Sequence, residues 1–96
     1  IKIELMIKKK RINSMKYETE ACVYCEASAS LLAKKIKNLD IYTVIKDLNF
    51  LKNVFTKEKP IFPKHFKDFK ILINKKNISR IRCINLPVDA VLRALR

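Results

Sequence analysis

Apolar and polar positions alternate along residues 2–7, with Ile3, Leu5 and Ile7 at every second position, Lys2 and Glu4 alternating with them and Met6 the apolar exception. A period of two predicts a strand buried on one side. Residues 12–19 alternate as well, Ile12, Ser14, Lys16 and Glu18 against Asn13, Met15, Tyr17 and Thr19. The phase is imperfect there, because Ile12 and Met15 fall on opposite faces of a regular strand. The polar run Lys8-Lys9-Lys10-Arg11 between the two segments has hairpin length. A two-stranded hairpin is marginal alone and needs a third strand or helices across one face.

From residue 21 the period changes. Ala27, Leu31, Leu32 and Ile36 recur at helical spacing and predict a helix over 21–37. Asn38-Leu39-Asp40 breaks it, and Asp40 is a good N-cap for a second helix over 41–55. Its apolar positions are Ile41, Val44, Ile45, Leu48, Leu51, Val54 and Phe55. Residues 57–64 hold Pro60 and Pro63 and read as an irregular connection. A short helix is predicted over 66–73, another over 77–84 from Ile78, Ile81 and Ile84, and a last one over 88–95 with Pro87 in its first turn. The expected architecture is one α+β domain over residues 1–96. In it an N-terminal antiparallel β-hairpin, part of a small antiparallel sheet, packs against C-terminal helices.

Composition narrows the function. Lys and Arg total 22 against 9 Asp and Glu, a formal charge of +13 on 96 residues. Glycine is absent, which excludes Gly-rich phosphate loops and collagen-like repeats. It also forces Asn, Asp or Lys into any turn that needs a positive φ. The cations are spread along the chain, and the densest run lies at the hairpin turn with no aromatic to stack a base. Richness in Lys, Ile and Asn with no Gly is the pattern of an A+T-rich genome. A basic nucleic-acid-binding, ribosome-associated domain is the alternative reading, and it requires a one-sided Lys/Arg face. No apolar run approaches a membrane span and no secretory signal opens the chain, so no membrane partner is expected.

Three cysteines carry the candidate chemistry: Cys22, Cys25 and Cys83. An odd count without a secretory signal argues for a reducing compartment. Cys22-Val23-Tyr24-Cys25 is a C-x-x-C, which suits a redox pair, half a metal site, or a reactive thiol with a bystander. A tetrahedral zinc site needs four ligands, and the chain offers three Cys, His65 and carboxylates. Against these stands the role of small buried hydrophobe, strongest for Cys25. His65 reads as a surface residue.

Lys16-Tyr17-Glu18-Thr19-Glu20-Ala21-Cys22, followed by Ala27-Ser28-Ala29-Ser30-Leu31-Leu32, resembles the middle of the IscU/NifU-type iron–sulfur cluster assembly scaffolds. Arg80-Ile81-Arg82-Cys83-Ile84-Asn85-Leu86-Pro87, continuing into Val88-Asp89-Ala90-Val91-Leu92, is similar to that family's C-terminal block. The long connection before it, and Arg82 where other members carry His, are most like the zinc-binding SufU branch. The resemblance covers nearly the whole chain in order. This chain departs from the pattern in having Ala21 for the usual Gly and Val88 for the usual aromatic. The family's first ligand Cys and nearby Asp fall before Ile1, so the domain reads as truncated at its N-terminus.

The resemblance implies a scaffold or sulfur acceptor that takes persulfide sulfur from a cysteine desulfurase and serves apo iron–sulfur proteins. It implies Cys22 and Cys83 as cofactor-binding and metal ligands, with Cys25 a further metal candidate, for a 2Fe-2S cluster or zinc. It makes Cys83 the sulfur acceptor and Arg80 a basic neighbour behind it. It implies no turnover for a scaffold alone, and a zinc-dependent sulfurtransferase in the SufU branch. It suggests a bacterial cytoplasm or an organellar matrix. Ser28 and Ser30 are expected to let helices pack closely.

Overall fold

The computed structural model describes residues 2–19, 23–53 and 61–95. Its fold is α+β, an antiparallel hairpin followed by helices. Strand β1 (Lys2–Lys8) pairs with β2 (Arg11–Glu18), and Lys9-Lys10 forms the turn. Both turn residues have positive φ, 53° and 64°. A two-residue hairpin turn of this hand requires that, and normally uses Asn-Gly.

The imperfect phase of the second strand is resolved by a bulge. Leu5 pairs with Met15 and Met6 with Ser14, but Ile7 pairs with Ile12, which leaves Asn13 as the extra residue. That residue returns Ile12 to the face shared by Met15 and Tyr17, opposite Ile3, Leu5 and Ile7. Ile12 is fully buried, and Ile3, Leu5 and Met15 pack against the same core. On the outer face Lys2 opposes Glu18 and Glu4 opposes Lys16, so unlike charges meet across the strands.

Helix α1 (Val23–Ile36) lies within the expected 21–37, of which 21 and 22 are outside the described residues. Its buried stripe runs through Cys25, Ser28, Ala29, Leu32 and Ile36. Asn38, at φ 70°, turns the chain away after the helix. The connection then docks on β2, where the Ile12 amide donates to the Leu39 carbonyl and the Asn38 amide to the Ile12 carbonyl. Asp40 caps α2 (Ile41–Lys52) as expected, its carboxylate accepting from the Thr43 amide at 2.6 Å. That hydrogen bond, followed by the Arg11 charge, holds the Asp40 carboxyl below its ordinary value of 3.8. The remainder of the helix expected to residue 55, including Val54 and Phe55, lies outside the described residues, as do residues 57–60 of the irregular connection.

The C-terminal half departs from the expected helices. Residues Lys64–Ile71 and Lys75–Arg80 form two 3-10 helices, and a single helix α3 (Ile81–Ala94) replaces the separate 77–84 and 88–95 segments. A spacing of three suits the 3-10 period. Phe66 and Phe69 lie three apart and both are buried, their rings edge-to-face at 6.0 Å. Pro87 sits inside α3 rather than at a helix start. An interior proline costs about 3 kcal/mol. The stripe Ile84, Val88, Val91 and Leu92 stays in phase across it and is buried. At ~1.5–3 kcal/mol for each such side chain, that burial outweighs the proline.

The core lies between one face of the hairpin and the helices, with α3 packed on α1, α2 and β1. Lys52–Asp89 joins α2 to α3, and Lys35–Asp68 joins α1 to the first 3-10 helix. Among the described residues no helix is long and apolar enough to cross a membrane.

Candidate functional site where helices α1 and α3 begin

Helices α1 and α3 run side by side in the same direction. The Arg80 guanidinium lies over the Tyr24 ring, 5.7 Å from its centroid. One turn further along both helices, the Ser28 hydroxyl donates to the Ile84 carbonyl at 2.6 Å in a buried contact. Two contacts, each advanced by four residues, fix a parallel pairing with both N-terminal ends at one end of the fold. Small side chains at Ser28 and Ala29 allow this approach, which is the packing role expected of Ser28.

Cys83 stands on the first turn of α3 and is partly exposed. Arg80 and Arg82 on either side of Ile81 are both exposed, and the first turn of α3 carries no acidic residue. The start of α3 continues directly from the second 3-10 helix, and the Ile81 amide is paired with the Ile78 carbonyl. In the chain, Arg80 stands three residues before Cys83 and Arg82 next to it, so two cations accompany this thiol.

Cys25 is placed differently. It is fully buried on the core stripe of α1, and its sulfur accepts from the Thr19 hydroxyl at 3.6 Å. That contact ties the end of β2 to α1. A thiol facing the interior serves as a small apolar side chain, the role set against redox and metal chemistry for it. Cys22 precedes Val23 in the chain and lies outside the described residues. His65 is exposed on the first 3-10 helix. Among the described residues, no three His, Cys, Asp or Glu side chains gather into a group that could hold a metal ion. The described side chains thus bring Cys83, Arg80 and Arg82 to one end and turn Cys25 inward.

Tyr24 and Thr19 were not legible as parts of this end. Tyr24 sits between the two cysteines of the C-x-x-C, where no local pattern gives it a role. Its role depends on Arg80, which only the packing of α3 brings beside it. Compared with known proteins, the chain finds no matching family model, no matching curated protein and no matching solved structure.

Proposed function

We propose that this chain is a sulfur acceptor, or iron–sulfur assembly scaffold, working through Cys83. The observation that carries the reading is a partly exposed thiol flanked by two arginines at the shared start of α1 and α3. The resemblance of the blocks around Cys22 and Cys83 to IscU/NifU-type scaffolds supports the same reading.

The chemistry can be written for thiols alone. Cys83 loses its Sγ proton, and the thiolate attacks the outer sulfur of a donor cysteine persulfide. The donor S–S bond breaks and its electron pair leaves on the donor sulfur as a thiolate. Cys83 then carries the persulfide, with no net oxidant or reductant consumed. Attack needs thiolate, and thiolate is favoured beside cations. Arg80 and Arg82 supply the cations here. No step is assigned to zinc, because the described residues do not assemble a ligand set. An iron–sulfur cluster in the scaffold form is cargo, and it would draw on Cys83 and on Cys22.

The test is sulfur loading. The full chain is incubated with a cysteine desulfurase and cysteine, alkylated, digested and read by mass spectrometry. One added sulfur atom is expected on the peptide containing Cys83, and it is lost in Cys83→Ser. Loading confined to Cys22 or Cys25, or no loading, overturns the reading.

A further inference from the structure

Every Lys and Arg between residues 64 and 82 is exposed. The first 3-10 helix presents Lys64, Lys67 and Lys70, and its buried side is formed by Phe66 and Phe69. A 3-10 helix stacks residues three apart, which sets Lys67 and Lys70 along one edge about 6 Å apart. Lys75 and Lys76 open the second 3-10 helix, and Arg80 and Arg82 lead into α3. The single carboxylate in this stretch, Asp68, is held by Lys35 of α1. Hydrogen bonding to Lys35 keeps that carboxyl below its ordinary value, so it stays ionised and paired.

The segment is braced by its own asparagines. Asn74 donates to the carbonyls of Lys70 and Ile71, and Asn77 to that of Leu72. These bonds hold the end of one 3-10 helix against the start of the next. The same segment also exposes two large apolar side chains, Ile71 at 70% and Ile78 at 64%. No Phe, Tyr or Trp of the stretch is exposed, because both phenylalanines are buried.

We propose that this surface docks a protein partner whose facing surface is acidic around an apolar centre. A phosphate backbone would use the cations but has no use for two exposed isoleucines, and base stacking would require exposed rings. A protein interface uses both features, an apolar centre desolvated by contact and a charged rim that steers approach. The second 3-10 helix leads directly into the turn of α3 that bears Cys83. A partner seated here is brought to that thiol. This last point rests on the sulfur-acceptor reading; the docking surface itself does not.

The test measures binding without sulfur chemistry. Fluorescence anisotropy compares two labelled probes on the full chain, an amphipathic peptide of Glu, Leu and Ala and an oligo(U) RNA. The peptide with Gln in place of Glu is the control. The Glu peptide should bind at least about tenfold more tightly than its Gln counterpart, with an affinity that falls as salt rises. Ile71→Asn with Ile78→Asn should weaken it about tenfold. Lys67→Gln with Lys70→Gln, a second pair of exposed sites, should weaken it severalfold. Cys83→Ser should bind as the parent chain does. The proposal is overturned if the isoleucine pair binds the Glu peptide unchanged, if oligo(U) binds more tightly than the peptide, or if the Glu peptide does not bind. Peptide binding that depends on Ile71 and Ile78 in a chain that accepts no sulfur would remove the sulfur-acceptor reading and leave the docking surface standing.

Discussion

The Ser28 hydroxyl donates to the Ile84 carbonyl across 2.6 Å, and both residues are fully buried. This contact joins α1 to α3 and sets how closely their axes approach. Ser28→Ala removes one buried hydrogen bond and should cost about 1 kcal/mol. Ser28→Leu must force the helices apart and should cost more, about 1–3 kcal/mol from overpacking alone. Urea denaturation followed by circular dichroism checks both. Equal stability of the Ala and Leu chains would mean that the helices are not closely packed there.

The hairpin turn stores strain that a different pair of residues would relieve. Lys9 and Lys10 both occupy the left-handed region. That region costs a residue with a Cβ roughly 1–2 kcal/mol, less for Asn and little for Gly. Lys9→Asn together with Lys10→Gly should therefore raise stability by about 1 kcal/mol, part of the gain being offset by glycine's larger entropy loss. Thermal unfolding reads it. A lower Tm would show that these lysines make a compensating interaction.

Asp40 should make stability depend on pH in the acid range. Its carboxyl is lowered below 3.8, first by the Thr43 amide and then by weaker contributions that include Arg11. The stabilisation is complete above the unfolded-state value. It is lost as pH falls through the lower folded-state value, because the unfolded chain binds the proton first. Asp40→Asn keeps a capping side chain but should flatten the loss of stability below about pH 4. Asp40→Ala should lower Tm at neutral pH as well. An unchanged acid limb in Asp40→Asn would show that another carboxylate dominates, such as Asp68, which is also held low.

Arg80 should matter more for sulfur loading than for folding. Its contact with Tyr24 is exposed on the cation side, and such pairs are worth about 0.5–1 kcal/mol. Arg80→Gln should leave the fold intact and slow loading of Cys83 severalfold, with a deficit that shrinks at high salt. Arg80→Lys should recover part of the rate. A deficit that is independent of salt, or absent, would remove Arg80 from a positioning role. Tyr24→Leu tests the same contact from the other side.

The elements that could be read from the chain were those encoded in short windows. Alternation announced the hairpin, the spacing of Leu32 and Ile36 announced α1, and Asp40 announced the start of α2. Each depends on residues within a turn or two of one another. The phase break between Ile12 and Met15 was visible too, but its remedy was not. The bulge at Asn13 is set by pairing with β1 and by the burial of Ile12 in the helical core. Pro87 misled because local preference opposes an interior proline, whereas burial along the whole of α3 overrides it.

At the candidate site the division falls in the same place. Residue types and spacing singled out Cys22, Cys25 and Cys83, and only the resemblance to IscU/NifU-type scaffolds added Arg80. Tertiary packing decided that Cys25 faces inward to Thr19, that Arg80 meets Tyr24, and that α1 and α3 start at one end. These contacts join residues up to 56 positions apart. No local period records them, because the relative direction of two helices depends on how their buried stripes fit together.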